Sequence, residues 1–115
     1  MNAHNEKLRE ARLSLARTFL KDSEQPALSH HGRVSAAFEA GYLATLAALS
    51  SALGDYEHPS PEALRDGRLL LSKDLYAGFE RALSFLEHRY DWQPERFDLG
   101  GMQLWAAALI KAACP

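Results

Sequence analysis

Two places in this chain gather side chains of the kind that bind metals: His30 next to His31, and the run Asp55-Tyr-Glu-His58. A bundle di-metal centre needs Glu-x-x-His on two helices, so that a carboxylate and an imidazole one turn apart face the same ion. No Glu-x-x-His occurs in the sequence. Adjacent histidines diverge by about 100° on a helix, and Asp55 and His58 fall in an expected loop. The reading is therefore no metal and no cofactor. Serine hydrolysis needs a nucleophile held on a sharp strand-to-helix turn, whereas the serines here fall within helices or at their caps. Gly100-Gly101 has neither the spacing nor the lysine of a phosphate-binding loop. Cys114 is the single cysteine, so there is no CxxC and no internal disulfide. A lone thiol suits a reducing cytoplasm and reads as inert.

The elements that must hold any site are helical. Valine and isoleucine each occur once, and no period-two run is sustained. The segment Val34 to Leu53 has Glu39 as its only charge. On a helix it places Ala37, Gly41, Ala44, Ala48 and Ser51 on one side, with Phe38, Tyr42, Leu46, Leu49 and Leu53 on a neighbouring side. Such a helix belongs inside, with two partner helices against it and one of them close. It is expected to start within Ser29 to Gly32 and to end at Gly54.

A first helix is expected from Asn5 to Leu20, with Leu8, Ala11, Leu15 and Phe19 facing inward. Lys7, Arg9, Arg12, Arg17 and Lys21 are then spread over a solvated surface. Ser60 and Pro61 start a short third helix that reaches Leu71, weakened in its middle by Asp66 and Gly67. A fourth runs from Ser72 to Tyr90 with the seam Leu75, Phe79, Ala82, Leu83, Leu86 and Tyr90. Asp98 caps a fifth, in which Leu99, Met102, Trp105 and Leu109 face inward. Tyr90, Trp92, Phe97 and Trp105 are expected to close one end. The fold class is all-α: an up-and-down bundle of four main helices plus one shorter helix, in one domain over residues 1–115.

Composition narrows the function classes. The 115 residues are 47% hydrophobic and 24% charged, with a formal net charge of -2, so there is no general basic excess to attract nucleic acid or an anionic membrane. Glu6 and Glu10 break what a secretory leader would need to keep apolar. The uncharged run Ala40 to Gly54 is shorter than the roughly 20 apolar residues that span a bilayer. A cytoplasmic protein without a membrane segment is expected.

The segment GRVSAAFEAGYLATLAAL, the glycine turn and HPSPEAL loop after it, and the amphipathic helix beyond resemble the second and later helices of HEPN domains, over about Ser29 to Tyr90. That resemblance implies a small, often dimeric bundle linked to nucleotides or RNA. It also implies one of three roles: a toxin with an antitoxin partner, the partner of a nucleotidyltransferase, or a non-catalytic binding module. Ribonucleases of that family carry an arginine and, a few residues on, a histidine. Arg81 and His88 match that spacing, with Ala82 where a polar residue is usual. In such a site the guanidinium holds phosphate and the imidazole transfers a proton. The two positions differ by about 20° around a helix and point away from the Leu75, Phe79 and Leu86 seam. They would face either water or a second copy across a two-fold axis.

Two readings follow. The preferred one is a non-enzymatic homodimeric module that binds a nucleotide, RNA or a protein. The other is a metal-independent ribonuclease with Arg81 and His88 at the dimer interface. A third, a bundle with an internal small-molecule pocket, draws on the small-residue face of the second helix and Tyr42.

Overall fold

Ser29 opens the helix on which the rest is built. In the computed structural model, which describes residues 3–49, 61–71, 73–90 and 97–114, the Ser29 hydroxyl oxygen accepts the Gly32 amide at 3.0 Å. Its carbonyl accepts the Arg33 amide at 2.9 Å. A serine there satisfies an amide that the first turn leaves without a helical partner. Helix α2 then spans His30–Leu49; the expected end at Gly54 lies outside the described residues. Around it stand α1 (Ala3–Ser23), α3 (Pro61–Leu70), α4 (Tyr76–His88) and α5 (Leu99–Ala113). Among the described residues there is no strand, and no helix is long and apolar enough to cross a membrane.

The expected enclosure of α2 is borne out. Ala37, Gly41 and Ala44 are buried along one face and Phe38, Tyr42 and Leu46 along the next; Ala48 and Leu49 are half-buried. Ser51 and Leu53 lie outside the described residues. Helices α1, α3 and α5 pack on α2, and α4 reaches it through Phe85, whose ring centroid lies 5.0 Å from that of Phe38. Removing a side chain the size of Phe38 from water stabilises the fold by about 2 to 3 kcal/mol.

The glycine on the small face has a specific use. A Cβ on Gly41 would lie 2.7 Å from Cη2 of Trp105 and closer still to two further carbons of the same ring, while one on Gly78 of α4 would lie 2.6 Å from the indole Cγ. Trp105 of α5 thus seats its six-membered ring on α2 and its five-membered ring on α4, and Phe79 meets it edge-on at 5.4 Å. The space considered for an internal ligand beside Gly41 is filled by this indole. Gly67, read from sequence as a weak point of α3, is where α3 closes on its neighbours: a Cβ there would come within 2.7 Å of Phe79 and 2.8 Å of Thr45.

Helix α1 packs in a different register from the expected one. Leu13 and Ala16 are buried, whereas Ala11 is exposed and Leu15 is 47% exposed. Leu8 and Phe19 are half-buried. Helix α1 packs chiefly on α2, with its contact to α5 secondary. Arg9 donates from Nη2 to the carbonyl of Ala113, and Arg17 donates to Sγ of Cys114 at 2.9 Å. Carbonyls at a helix end lack internal partners and sit at its negative pole, so a guanidinium placed there ties α1 to the end of α5. Both arginines thus join helices, and Arg17 does so from the exposed surface on which Lys7 and Lys21 also lie, as expected. The helix also runs on to Ser23, whose buried hydroxyl donates to the Leu20 carbonyl at 2.6 Å. The Ser23 carbonyl in turn accepts Arg33 Nε of α2 at 2.8 Å and Gln103 Nε2 of α5 at 3.1 Å.

Helix α4 is shorter than expected, entered through a 3-10 turn over Lys73–Leu75 and ending at His88. Tyr90 therefore falls beyond the helix and is 84% exposed, not part of the seam. Phe85, which the seam omitted, is 1% exposed because it fills the space between Phe38 and Phe97. The expected aromatic end group divides in two: Phe97 pairs with Phe85 at 4.9 Å, and Trp105 with Phe79. Trp92 lies outside the described residues.

Candidate functional site

Arg81 and His88 sit on α4 seven residues apart, about 10 Å along its axis. The structure gives them different surroundings. Arg81 is half-buried against the first turn of α5, where Asp98 caps the helix as expected: one carboxylate oxygen accepts the Gly101 amide at 2.9 Å, and the other lies 3.6 Å from Arg81 Nε. Gly101 makes the approach possible, since a Cβ there would stand 2.8 Å from the guanidinium carbon. A cation at the positive end of a helix needs such a carboxylate between them. Arg81 is thus a bridge to α5, where the sequence reading placed it on a face turned to water or to a second copy. His88 stands 3.8 Å from Glu87 at the far end of α4 and is not part of the groove that Arg81 lines.

That groove, of about 420 Å³, runs between α4 and α5. Leu75, Gly78, Leu104, Trp105 and Ala108 form its walls, and Asp74, Arg81 and Asp98 its polar rim. On the other flank of α5 a second groove of about 350 Å³ separates it from α1, lined by Leu20, Ala107 and Ile110 and rimmed by Arg17, Lys21, Glu24 and Lys111. The ridge between them is apolar. Leu104 is 75% exposed, and Ala107 and Ala108 are exposed beside it.

A third cavity, a polar cleft of about 310 Å³, opens where the end of α4 meets α2. His31, Ser35 and Glu39 follow one another at four-residue spacing, so α2 presents them in one line. Phe38 and Phe85 form the apolar wall, and Arg89 and Tyr90 arrive from the residues that end α4. Burial pushes the Glu39 carboxyl above its ordinary range, and the Arg89 guanidinium pulls it part of the way back. The Arg89 Nε is buried without a hydrogen-bond partner, and its guanidinium carbon lies 5.0 Å from the Tyr90 ring centroid. Glu39 was visible in sequence as the single charge of an apolar helix. Arg89 was missed, because nothing local connects it to α2.

The histidines of the first turn of α2 diverge. His30 donates from Nε2 to the Phe97 carbonyl at 2.9 Å, while the ring of His31 lies 6.1 Å from that of Phe85. Among the described residues no group of three or more potential metal ligands converges. Asp55 and His58 lie outside those residues. Comparisons of the chain with family models, curated proteins and solved structures find no match.

Proposed function

We propose that this chain is a HEPN-like, non-enzymatic helical module of the cytoplasm that works as a homodimer, two copies meeting on the outward ridge of α5. The observation that carries this reading is Leu104: a large apolar side chain 75% exposed, set between two grooves whose rims differ in charge. An apolar ridge of this kind, rimmed by polar residues, is a typical docking surface. Complementary charge then selects the arrangement. A two-fold axis running along α5 brings the rim of Asp74, Asp98 and Arg81 of one copy, negative on balance, opposite the rim of Arg17, Lys21, Lys111 and Glu24 of the other, positive on balance, on both flanks at once. An axis across α5 would set like rims together.

The engagement of Arg81 by Asp98, and the separate surroundings of His88, favour the binding module over a metal-independent ribonuclease. A phosphate held by this guanidinium would stand beside the Asp98 carboxylate, whose charge repels it. Nucleotide, RNA, a nucleotidyltransferase or an antitoxin are the ligands that the family resemblance offers to the dimer. The test is light scattering on the purified chain. Wild type is expected to elute with the mass of two copies, and Leu104→Glu with the mass of one and an unchanged melting temperature. A wild type that stays monomeric at high concentration overturns the proposal. RNA incubated with the protein is expected to remain intact; cleavage lost in both Arg81→Ala and His88→Ala would instead establish the ribonuclease.

A further inference from the structure

The cleft between α2 and the end of α4 holds two opposite charges that do not meet. Glu39 feels Arg89 electrostatically, yet among the described residues no hydrogen bond or ion pair within 4.0 Å joins them, and the Arg89 Nε has no acceptor. Both side chains are half-buried. Of this pair the Arg89 Nε is the atom withdrawn from water without a partner, a costly state that an acceptor entering the cleft would relieve.

The gap restricts what that group is. A simple anion would satisfy Arg89 but stand against the Glu39 carboxylate, and a simple cation would meet the converse repulsion. A molecule carrying an ammonium and a carboxylate satisfies both and adds no net charge. The cleft, about 310 Å³, lies at the lower end of the range for small-molecule sites, which suits a ligand the size of one amino acid. Phe38 and Phe85 line the base of the cleft on its apolar side. Ser35 and His31 continue the polar line of α2 beside it.

We propose that this cleft is a binding site for a free α-amino acid with an apolar side chain, its ammonium held by Glu39 and its carboxylate by Arg89. The site is built from α2 and the end of α4, shares no lining residue with the α5 ridge, and stands or falls independently of dimer formation.

The experiment is a titration of the full chain, followed by calorimetry and by amide NMR shifts, with three probes: L-leucine, 3-methylbutylamine, which lacks the carboxylate, and N-acetyl-L-leucine, which lacks the ammonium. L-Leucine is expected to bind and to shift the amides of Ser35, Glu39 and Phe85. Each blocked analogue is expected to bind about tenfold more weakly or worse, the loss that accompanies one charge-assisted hydrogen bond. Glu39→Gln and Arg89→Gln, each checked for an intact melting transition, are expected to weaken L-leucine binding by a similar factor. The proposal is overturned if millimolar L-leucine leaves those amides unmoved, or if N-acetyl-L-leucine binds as well as L-leucine, which would mark a plain anion site. Variants that bind like the wild type overturn it too.

Discussion

Replacing Gly41 with alanine adds one methyl group to the best-packed junction of the protein. In a helix this change is ordinarily favourable by about 1 kcal/mol, because alanine has the higher helix propensity. Here the new Cβ would sit 2.7 Å from Cη2 of Trp105 and closer still to other carbons of that ring. The ring is held on two further sides, its other edge against Gly78 and its face met by Phe79. Overpacking of a rigid site costs about 1 to 3 kcal/mol, sometimes more. With both edges of the indole held, the upper end applies, and after the propensity gain the net loss is about 2 kcal/mol. The reference is a Trp105→Leu background, itself destabilised by about 3 kcal/mol through loss of ring volume. There the clash is absent, so Gly41→Ala is expected to be neutral or to stabilise by up to about 1 kcal/mol. Urea unfolding of the four proteins, followed by far-UV circular dichroism, gives the coupling directly. A Gly41→Ala protein as stable as the wild type, or the same loss in both backgrounds, would refute the junction as described.

Three further outcomes are expected. Asp98→Ala removes the cap of α5 and the carboxylate facing Arg81, and chemical denaturation should show a loss of about 1 kcal/mol, mostly from the cap because an exposed ion pair adds little. Glu39→Gln should match the wild type in acid and exceed it at neutral pH: burial raises the folded-state pKa of Glu39, so its favourable share is complete below the unfolded value and is lost as pH rises through the folded one. Melting temperatures of the two proteins across the carboxylate range, with His31 and Arg89 facing the group in both, check this; a pH-independent difference would contradict it. Leu13→Ala should cost about 2 to 3 kcal/mol while Leu15→Ala stays within about 0.5 kcal/mol, a contrast in thermal melts that reads the rotation of α1.

What could be read in advance follows from how local each determinant is. The enclosure of α2 was legible because almost no charge interrupts it, and the starts of α2 and α5 because Ser29 and Asp98 act within three residues of themselves. The rotation of α1 was not. Leu8, Ala11, Leu15 and Phe19 repeat at helical spacing, but so do Leu13, Ala16 and Leu20, and the choice between them is made by the surfaces of α2 and α5 that α1 packs on, which spacing along α1 does not give. Tyr90 was misplaced because the seam was continued past the point where α4 stops. Phe85 was overlooked because its partners, Phe38 and Phe97, come from other segments. The polar cleft was half visible for the same reason: the line His31, Ser35 and Glu39 is written in α2, whereas its counter-charge arrives from α4. Arg81 and His88 matched a spacing, but spacing says nothing of Asp98, which takes the guanidinium.

The ties between the outermost helices carry a consequence for chain topology. Arg9 reaches Ala113 across a sequence separation of 104, and Arg17 reaches Cys114 across 97. The middle of α1 and the last turn of α5 therefore lie side by side, so the two described helices farthest apart in sequence close on each other. Joining segments that far apart in sequence carries a loop-closure cost that grows only logarithmically with chain length, so ties at a separation near one hundred residues are little more costly in entropy than ties between neighbouring helices.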